Sequence, residues 1–423
     1  MGMAAGAAPA SESRKKVALI ATEVQKYSHA QHFVDRLLEG YGWQGEWHQP
    51  PIELAGLYVD QFPEGDLARE RAERHKVRIY PSIAEALTLG GSKLAVDGVL
   101  IIGEHGKYPK NEKGQTLYPR YKWFKEVVKV FESSGRAVPV FNDKHLSTSW
   151  PEALEMVEDS RRLGFAFLAG SSLPVTWRIP AVELPVGCPL TESVSLCYGG
   201  VDSYDFHGLE TAQCMSERRA GGETGVKSVH AVKGDKVWQL LSARETTRAL
   251  FLAALARSHT LGAPIGYTYA MPAFELVRQA SPDTVAYFIE HLDGFQTSMF
   301  LLNGTTTAVA GADQRTRNAL FAGRAVRDFT YAGRLKSDET VSCKMHLPMP
   351  PWYATLADFF NPLMNHIEHT VVERRAPYPI ERTLLTTGML ASAMDSLFRG
   401  TPVPTPELKV AYQPAVESQF WRA

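Results

Sequence analysis

Residues 16–38 constrain the fold more than any other stretch. They read K-V-A-L-I-A-T-E-V-Q-K-Y-S-H-A-Q-H-F-V-D-R-L-L. Residues 17–21 form an apolar run of the length of one buried parallel strand. Ser28 is placed to cap a helix, and Ala30, Phe33, Val34, Leu37 and Leu38 recur at helical spacing behind it. A buried strand feeding a helix is how a doubly wound nucleotide-binding domain begins, and the turn between them then carries G-x-G-x-x-G. In this chain Ala21, Glu23 and Lys26 occupy those three glycine positions.

Alternation of strands and helices continues to about residue 148. Strands are expected at 54–59, 78–81, 96–102 and 138–141, with helices at 66–75, 83–89 and 121–131 and a loop at 40–51. That rhythm predicts a parallel sheet with right-handed crossovers. Its polar strand ends would gather along one edge, where open α/β sheets bind ligands. Those polar ends are Glu23, Asp60, Glu104, His105, Asp143, Lys144 and His145, and the candidate cofactor-binding residues are Thr22, Glu23, Lys26, Asp60, Gly103, Glu104, His105 and Asp143. Asp60 stands where such folds hold an adenosine ribose, and it equally suits a turn or helix cap.

The pattern changes after Trp150. A helix to residue 163 and a strand at 165–170 are followed by strands at 194–198, 226–232, 265–269, 285–289, 297–302 and 306–310. Helices at 205–219 and 244–257 interrupt them. This reads as an α+β domain with a large, mostly antiparallel open sheet. The expected layout is a leader at 1–14, a Rossmann-like dinucleotide-binding domain at 15–148 and an α+β substrate and oligomerisation domain at 149–423. An open sheet face implies a homodimer or homotetramer.

Four motifs of the first domain resemble the Gfo/Idh/MocA family of NAD(P)-dependent sugar and polyol oxidoreductases. His29 stands eight positions after Ala21. L-Y-V-D-Q-F-P-E-G-D-L-A-R-E-R-A-E-R-H resembles the family's second strand, acid and helix, and V-D-G-V-L-I-I-G-E-H its fourth strand. F-N-D-K-H-L stands at the family's E-K-P, which aligns Lys144 with the family lysine. Further on, His207 and Glu210 take the positions of the family's H-x-x-D, and residues 361–397 resemble its closing segment. The resemblance spans about residues 15–414. It implies a dehydrogenase using NAD or NADP on a secondary alcohol of a sugar, polyol or derivative.

Alcohol dehydrogenation needs a group to remove the hydroxyl proton and a neighbour to hold the developing alkoxide. Lys144 and His207 suit those roles, with Asp202 or Asp205 orienting the imidazole. The loop 106–120 is basic and aromatic, so Lys107, Tyr108 and Arg120 are candidate substrate contacts, joined by Trp177, Arg178 and Glu210. Glu23 in the phosphate turn would repel a diphosphate, whereas Lys26 would attract one. The alternative is a non-redox hydrolase, lyase or isomerase on the same scaffold, metal-assisted through Glu23, His29, His32, Glu104, His105, Asp143 and His145. No H-E-x-x-H spacing supports it, and no residue is assigned as a metal ligand.

Composition narrows the partners. A net charge of -1 offers nothing for nucleic acid or an anionic membrane. Cys188, Cys197, Cys214 and Cys343 lie far apart with no CxxC pair, consistent with reduced thiols in a cytoplasmic protein. The expected partner is a small, carbohydrate-like molecule.

Overall fold

The computed structural model describes residues 14–259, 277–278, 281–303, 326–350, 356–417 and 420–421. In chain order the first strands are β1 (Lys15–Ala21), β2 (Tyr41–Trp43), β3 (Glu46–His48), β4 (Ile52–Val59), β5 (Arg78–Ile79), β6 (Gly98–Ile102), β7 (Val140–Asp143) and β8 (Phe167–Gly170). Six of them form a sheet in the order β5-β4-β1-β6-β7-β8, parallel throughout. This is the strand order of a dinucleotide-binding fold, with its switch point between β1 and β6.

Alternation along β1 builds the layers. Val17, Leu19 and Ala21 face the helices His29–Glu39 and Asn361–Glu373, whose Phe33, Val34, Leu363 and Ile367 share their core. Ala18 and Ile20 face Ile83, Phe124, Val127 and Met156 from three helices on the opposite side. Both faces are therefore dry, which explains the unbroken apolar runs of the inner strands.

The parallel sheet extends beyond residue 148. Helix Trp150–Leu163 crosses over to β8, which pairs with β7 from Val140↔Phe167 to Asp143↔Gly170. The strand anticipated as the start of the second domain is thus the sixth strand of the first sheet. The closing helix Asn361–Glu373 also returns to that sheet, because its apolar stripe matches β1 and β6. The 40–51 segment, expected as a loop, folds as the β2–β3 hairpin.

The second sheet comprises β9 (Trp177–Ile179), β10 (Leu190–Cys197), β11 (Val226–Lys233), β12 (Val285–His291), β13 (Gln296–Leu301), β14 (Phe329–Leu335), β15 (Thr340–His346) and β16 (Val403–Pro404). Its order is β16-β11-β12-β13-β10-β14-β15-β9, antiparallel except where β10 runs parallel to β13. The anticipated strands at 265–269 and 306–310, and residues 1–13 of the leader, lie outside the described residues. β14 and β15 were not anticipated, nor was helix Asp235–Ser242.

Helices cover this sheet on both sides. Asp205–Ser216 and Glu381–Arg399 bury Leu209, Met215, Leu385 and Met389 against Tyr287, Met299 and Tyr331. Asp235–Ser242 and Glu245–Leu255 bring Val237, Trp238, Leu250 and Phe251 against Leu196, Phe288, Phe300 and Ala332. The premise of an uncovered face, from which self-association was expected, does not hold for these strands.

Candidate active site

The carboxyl ends of β1, β6, β7 and β8 bring together side chains from both sheets. Lys144 follows β7 with a left-handed backbone, φ 70°, and its N–H donates to Gly170 O at 3.1 Å. His105 (φ 70°), Tyr27 (φ 68°) and Asp202 (φ 63°) share that unusual region around the same edge. Backbone conformations this costly persist where surrounding structure enforces them, as at functional sites.

Lys144 Nζ lies 3.2 Å from Glu104 Oε1 and forms a short hydrogen bond to His207 Nε2. His207 Nδ1 is 2.9 Å from Ser171 Oγ. Ser171 donates its hydroxyl to Glu210 Oε2 and its N–H to Glu210 Oε1, the latter at 2.9 Å. Because an ammonium only donates, His207 Nε2 accepts from it, so Nδ1 carries the proton and donates to Ser171. The result is one directional chain, Lys144 to His207 to Ser171 to Glu210.

Electrostatics suit that direction. Burial, reinforced by the Lys144 charge, holds the His207 imidazole well below its usual range, so it is neutral. Burial pushes the Glu210 carboxyl up to about 7, against the opposing hydrogen bonds from Ser171. Burial alone would also raise Glu104, but His29 and Lys144 hold it well below the usual carboxylate range. Gly170 permits the approach of Glu210: with φ +119°, a Cβ there would stand 2.5 Å from Glu210 Oε1.

Asp202 and Asp205 do not orient the imidazole. Asp205 accepts from the N–H groups of Asp202, Ser203 and Phe206 and from Tyr287 OH at 2.7 Å, closing the turn before its helix. Asp202 accepts from Thr116 N at 2.8 Å and Gln115 Nε2 at 3.3 Å, and burial pushes it up to about 6. It fastens the 106–120 loop to the second sheet. Ser171 does the orienting, and the sequence reading passed over it. Its signal was a serine one residue beyond a strand end, hidden once that strand was allotted to the other domain.

The remaining candidates divide. Arg120 is buried beneath the edge, donating to Gly103 O at 2.8 Å and meeting His145 Nε2 at 2.8 Å, so it supports the site from below. Arg178 lies over the Phe420 ring at 4.1 Å and donates to Val182 O, while Trp177 pairs with His346 in β9. Both are built into the edge of the second sheet. Glu210 is 1% exposed and is held by the N–H and hydroxyl of Ser171, so it does not face the open cleft as a substrate contact. His32 is stacked on Phe360 at 4.6 Å, and burial drives its pKa down to about 2.

A dinucleotide in this fold would run from the end of β4, across the turn after β1, to the ends of β6 and β7. The segment after β6 lies across that route. Gly106 N–H donates to the Glu23 carboxylate. Thr22 donates its hydroxyl to Glu104 O, and Tyr108 OH donates to Asp60 Oδ2 at 2.6 Å. Gln61 and the Lys107 backbone exchange two hydrogen bonds, at 3.0 and 3.1 Å. Within the turn, Gln25 N and Gln31 N both donate to Ser28 Oγ, and Tyr27 N donates to Gln31 Oε1. Two amides of the turn, those of Gln25 and Tyr27, are thereby engaged, and Lys26 is left exposed. The residues fit the reactive end of such a cofactor, at Lys144, but not its phosphates while this strap is closed.

Solved structures with the same architecture are dehydrogenases. GenD2 from gentamicin A biosynthesis, in complex with NAD, matches with a TM-score of 0.55 at 12% identity, over 95% of this chain and 99% of that one. Myo-inositol dehydrogenase from Lactobacillus casei, in complex with NAD(H) and myo-inositol, matches at 0.54 and 11% identity, over 95% and 99%. A probable dehydrogenase from Thermotoga maritima matches at 0.52 and 12%, over 93% and 99%. The fold is that of the inositol dehydrogenases. No protein-family model and no curated protein matches the sequence. Among the described residues no helix is long and apolar enough to cross a membrane.

Proposed function

We propose that the chain is an oxidoreductase acting on a secondary alcohol of a polyhydroxylated, carbohydrate-like substrate, with NAD or NADP as the acceptor. The observation that carries this reading is the hydrogen-bonded path from Lys144 through His207 and Ser171 to Glu210. The architecture shared with dehydrogenases, two of them in complex with NAD or NAD(H), supports the class.

In this reading the substrate hydroxyl enters between Lys144 Nζ and His207 Nε2. The Lys144 ammonium holds the oxygen as negative charge develops. His207 Nε2 takes the hydroxyl proton, Nδ1 passes its own to Ser171 Oγ, and Ser171 passes its own to Glu210 Oε2. One proton leaves the substrate and one arrives at a carboxylate with a pKa of about 7, well matched to accepting it near neutrality. A bound nicotinamide would supply the hydride acceptor. Its phosphates require the Glu104–Tyr108 strap to be displaced.

The test is turnover of inositols and aldoses followed by reduced-nicotinamide absorbance, paired with calorimetry of NAD and NADP. The reading predicts turnover of at least one polyol with one nucleotide, abolished in Lys144→Ala. Absence of binding of either nucleotide at millimolar concentration overturns it.

A further inference from the structure

Three side chains that the proton path does not use converge at the switch point. His29 opens the helix after the β1 turn, Glu104 follows β6, and Asp143 ends β7. His29 Nδ1 lies 2.8 Å from Asp143 Oδ2 and 3.4 Å from Glu104 Oε2, and one donor atom from each residue falls within 4.8 Å of the other two. Donors bound to one ion at about 2.0–2.2 Å stand roughly 3.0–3.5 Å apart along a tetrahedral or octahedral edge. The His29–Glu104 distance falls in that range, and the His29–Asp143 contact is a 2.8 Å hydrogen bond that an ion would replace.

A second observation is independent of the spacing. Asp143 is fully buried, and its Oδ1 has no hydrogen-bond partner. Glu104 Oε2 and His105 Nε2, on the same rim, are likewise buried without a hydrogen bond. Two carboxylates at a buried edge are costly unless their charge is matched and their lone pairs are filled. Lys144 matches one charge through Glu104 Oε1. His29 Nδ1 meets Asp143 Oδ2 in a hydrogen bond, which leaves Asp143 Oδ1 and Glu104 Oε2 as the carboxylate oxygens of the pair without one.

We propose that His29, Glu104 and Asp143 form a binding site for one divalent transition-metal ion. One imidazole and two carboxylates suit Zn²⁺, Mn²⁺ or Fe²⁺ better than Mg²⁺ or Ca²⁺, which favour all-oxygen shells, or Cu⁺, which favours sulfur. His105, its ring centroid 5.9 Å from that of His29, stands just outside the triad and leaves coordination positions open. Glu104 touches both the triad and Lys144, so the ion would sit beside the proton path and could hold a second oxygen of a vicinal diol. The three donors are assembled with the strap closed, since Glu104 belongs to it, so the ion is expected to bind without nucleotide.

The experiment uses the full chain, stripped with a chelator and titrated without nucleotide by calorimetry with Zn²⁺ and with Mn²⁺. Wild type is expected to take up one ion per chain at micromolar affinity or tighter. Asp143→Asn and Glu104→Gln, both near-isosteric, are expected to bind at least tenfold more weakly. Loading with Co²⁺ gives a second readout. Visible bands of a nitrogen–oxygen site should be present in wild type and lost in Asp143→Asn, with circular dichroism verifying that the variant is folded. No uptake of either ion by wild type up to millimolar concentration overturns the proposal. So does uptake that both variants retain unchanged, which would place the ion elsewhere.

Discussion

Ser171 and His207 meet at 2.9 Å, Oγ to Nδ1, although one follows the last strand of the parallel sheet and the other lies on a helix beneath the second sheet. The contact fixes which imidazole nitrogen carries the proton, and so which one can receive another. Ser171→Ala should therefore lower kcat, by on the order of 10²-fold, with little change in KM. Ser171→Thr keeps the hydroxyl and should recover most of the rate. Equal losses in the two variants, with no change in the pH–rate profile, would reduce Ser171 to a packing residue.

Glu210 gives a prediction for stability. Its folded pKa, about 7, lies above the ordinary value of 4.5. The unfolded chain ionises this carboxyl more readily, so its ionisation opposes folding. The penalty is absent below about pH 4.5, grows as pH rises, and is complete above about pH 7. Relative to Glu210→Gln, which cannot ionise, wild type should lose up to roughly 3 kcal/mol across that window. Chemical denaturation of both proteins at pH 4.5, 6 and 7.5 measures the difference. A gap that does not vary with pH contradicts the assignment.

Much of the fold could be read from local pattern, because both-faces-buried strands and amphipathic helices leave strong periodicities. Residues 17–21 and Ser28 announced β1 and its helix cap directly, and Ser28 Oγ does accept from Gln31 N. The edge residues Lys144 and His207 were legible for the same reason: strand ends and helix starts are visible in one dimension. The partner that orients His207 was not. Asp202 and Asp205 are its neighbours in sequence, whereas Ser171 is its neighbour in space, brought there by a sheet pairing with no local signature. The strap was equally hidden, since Tyr108 reaches Asp60 across 48 residues. The basic loop 106–120 looked like an open binding surface, but much of its polarity is spent on Asp60, Gln61 and Asp202.

Gly170 separates steric from conformational cost. Gly170→Ala meets both a positive φ and Glu210 Oε1 at 2.5 Å, whereas Gly114→Ala, at φ +83°, meets nothing within 4 Å. The control should lose about 1 kcal/mol from backbone strain, and Gly170→Ala clearly more, with a matching fall in turnover as Glu210 is displaced. Urea midpoints and kcat for the two variants check this. Similar losses in both would mean that Glu210 moves aside freely.

The strap offers the sharpest discrimination between nucleotide-dependent and nucleotide-independent chemistry. Tyr108 OH to Asp60 and the paired Gln61–Lys107 hydrogen bonds hold the segment after β6 across the dinucleotide route. If NAD or NADP enters there, these bonds must break first, and their free energy is subtracted from the observed affinity. Each is worth about 1 kcal/mol net, so Tyr108→Phe, which removes one, should tighten nucleotide binding by roughly fivefold, Gln61→Ala, which removes two, by roughly thirtyfold, and the double variant by more. Tyr108→Phe also frees Asp60 to receive a ribose hydroxyl. Calorimetric affinities for both nucleotides, measured on wild type and the three variants, decide the matter. Unchanged or weaker affinity in the double variant would show that the strap and the dinucleotide do not compete, and the route inferred from the strand order would then be wrong for this chain.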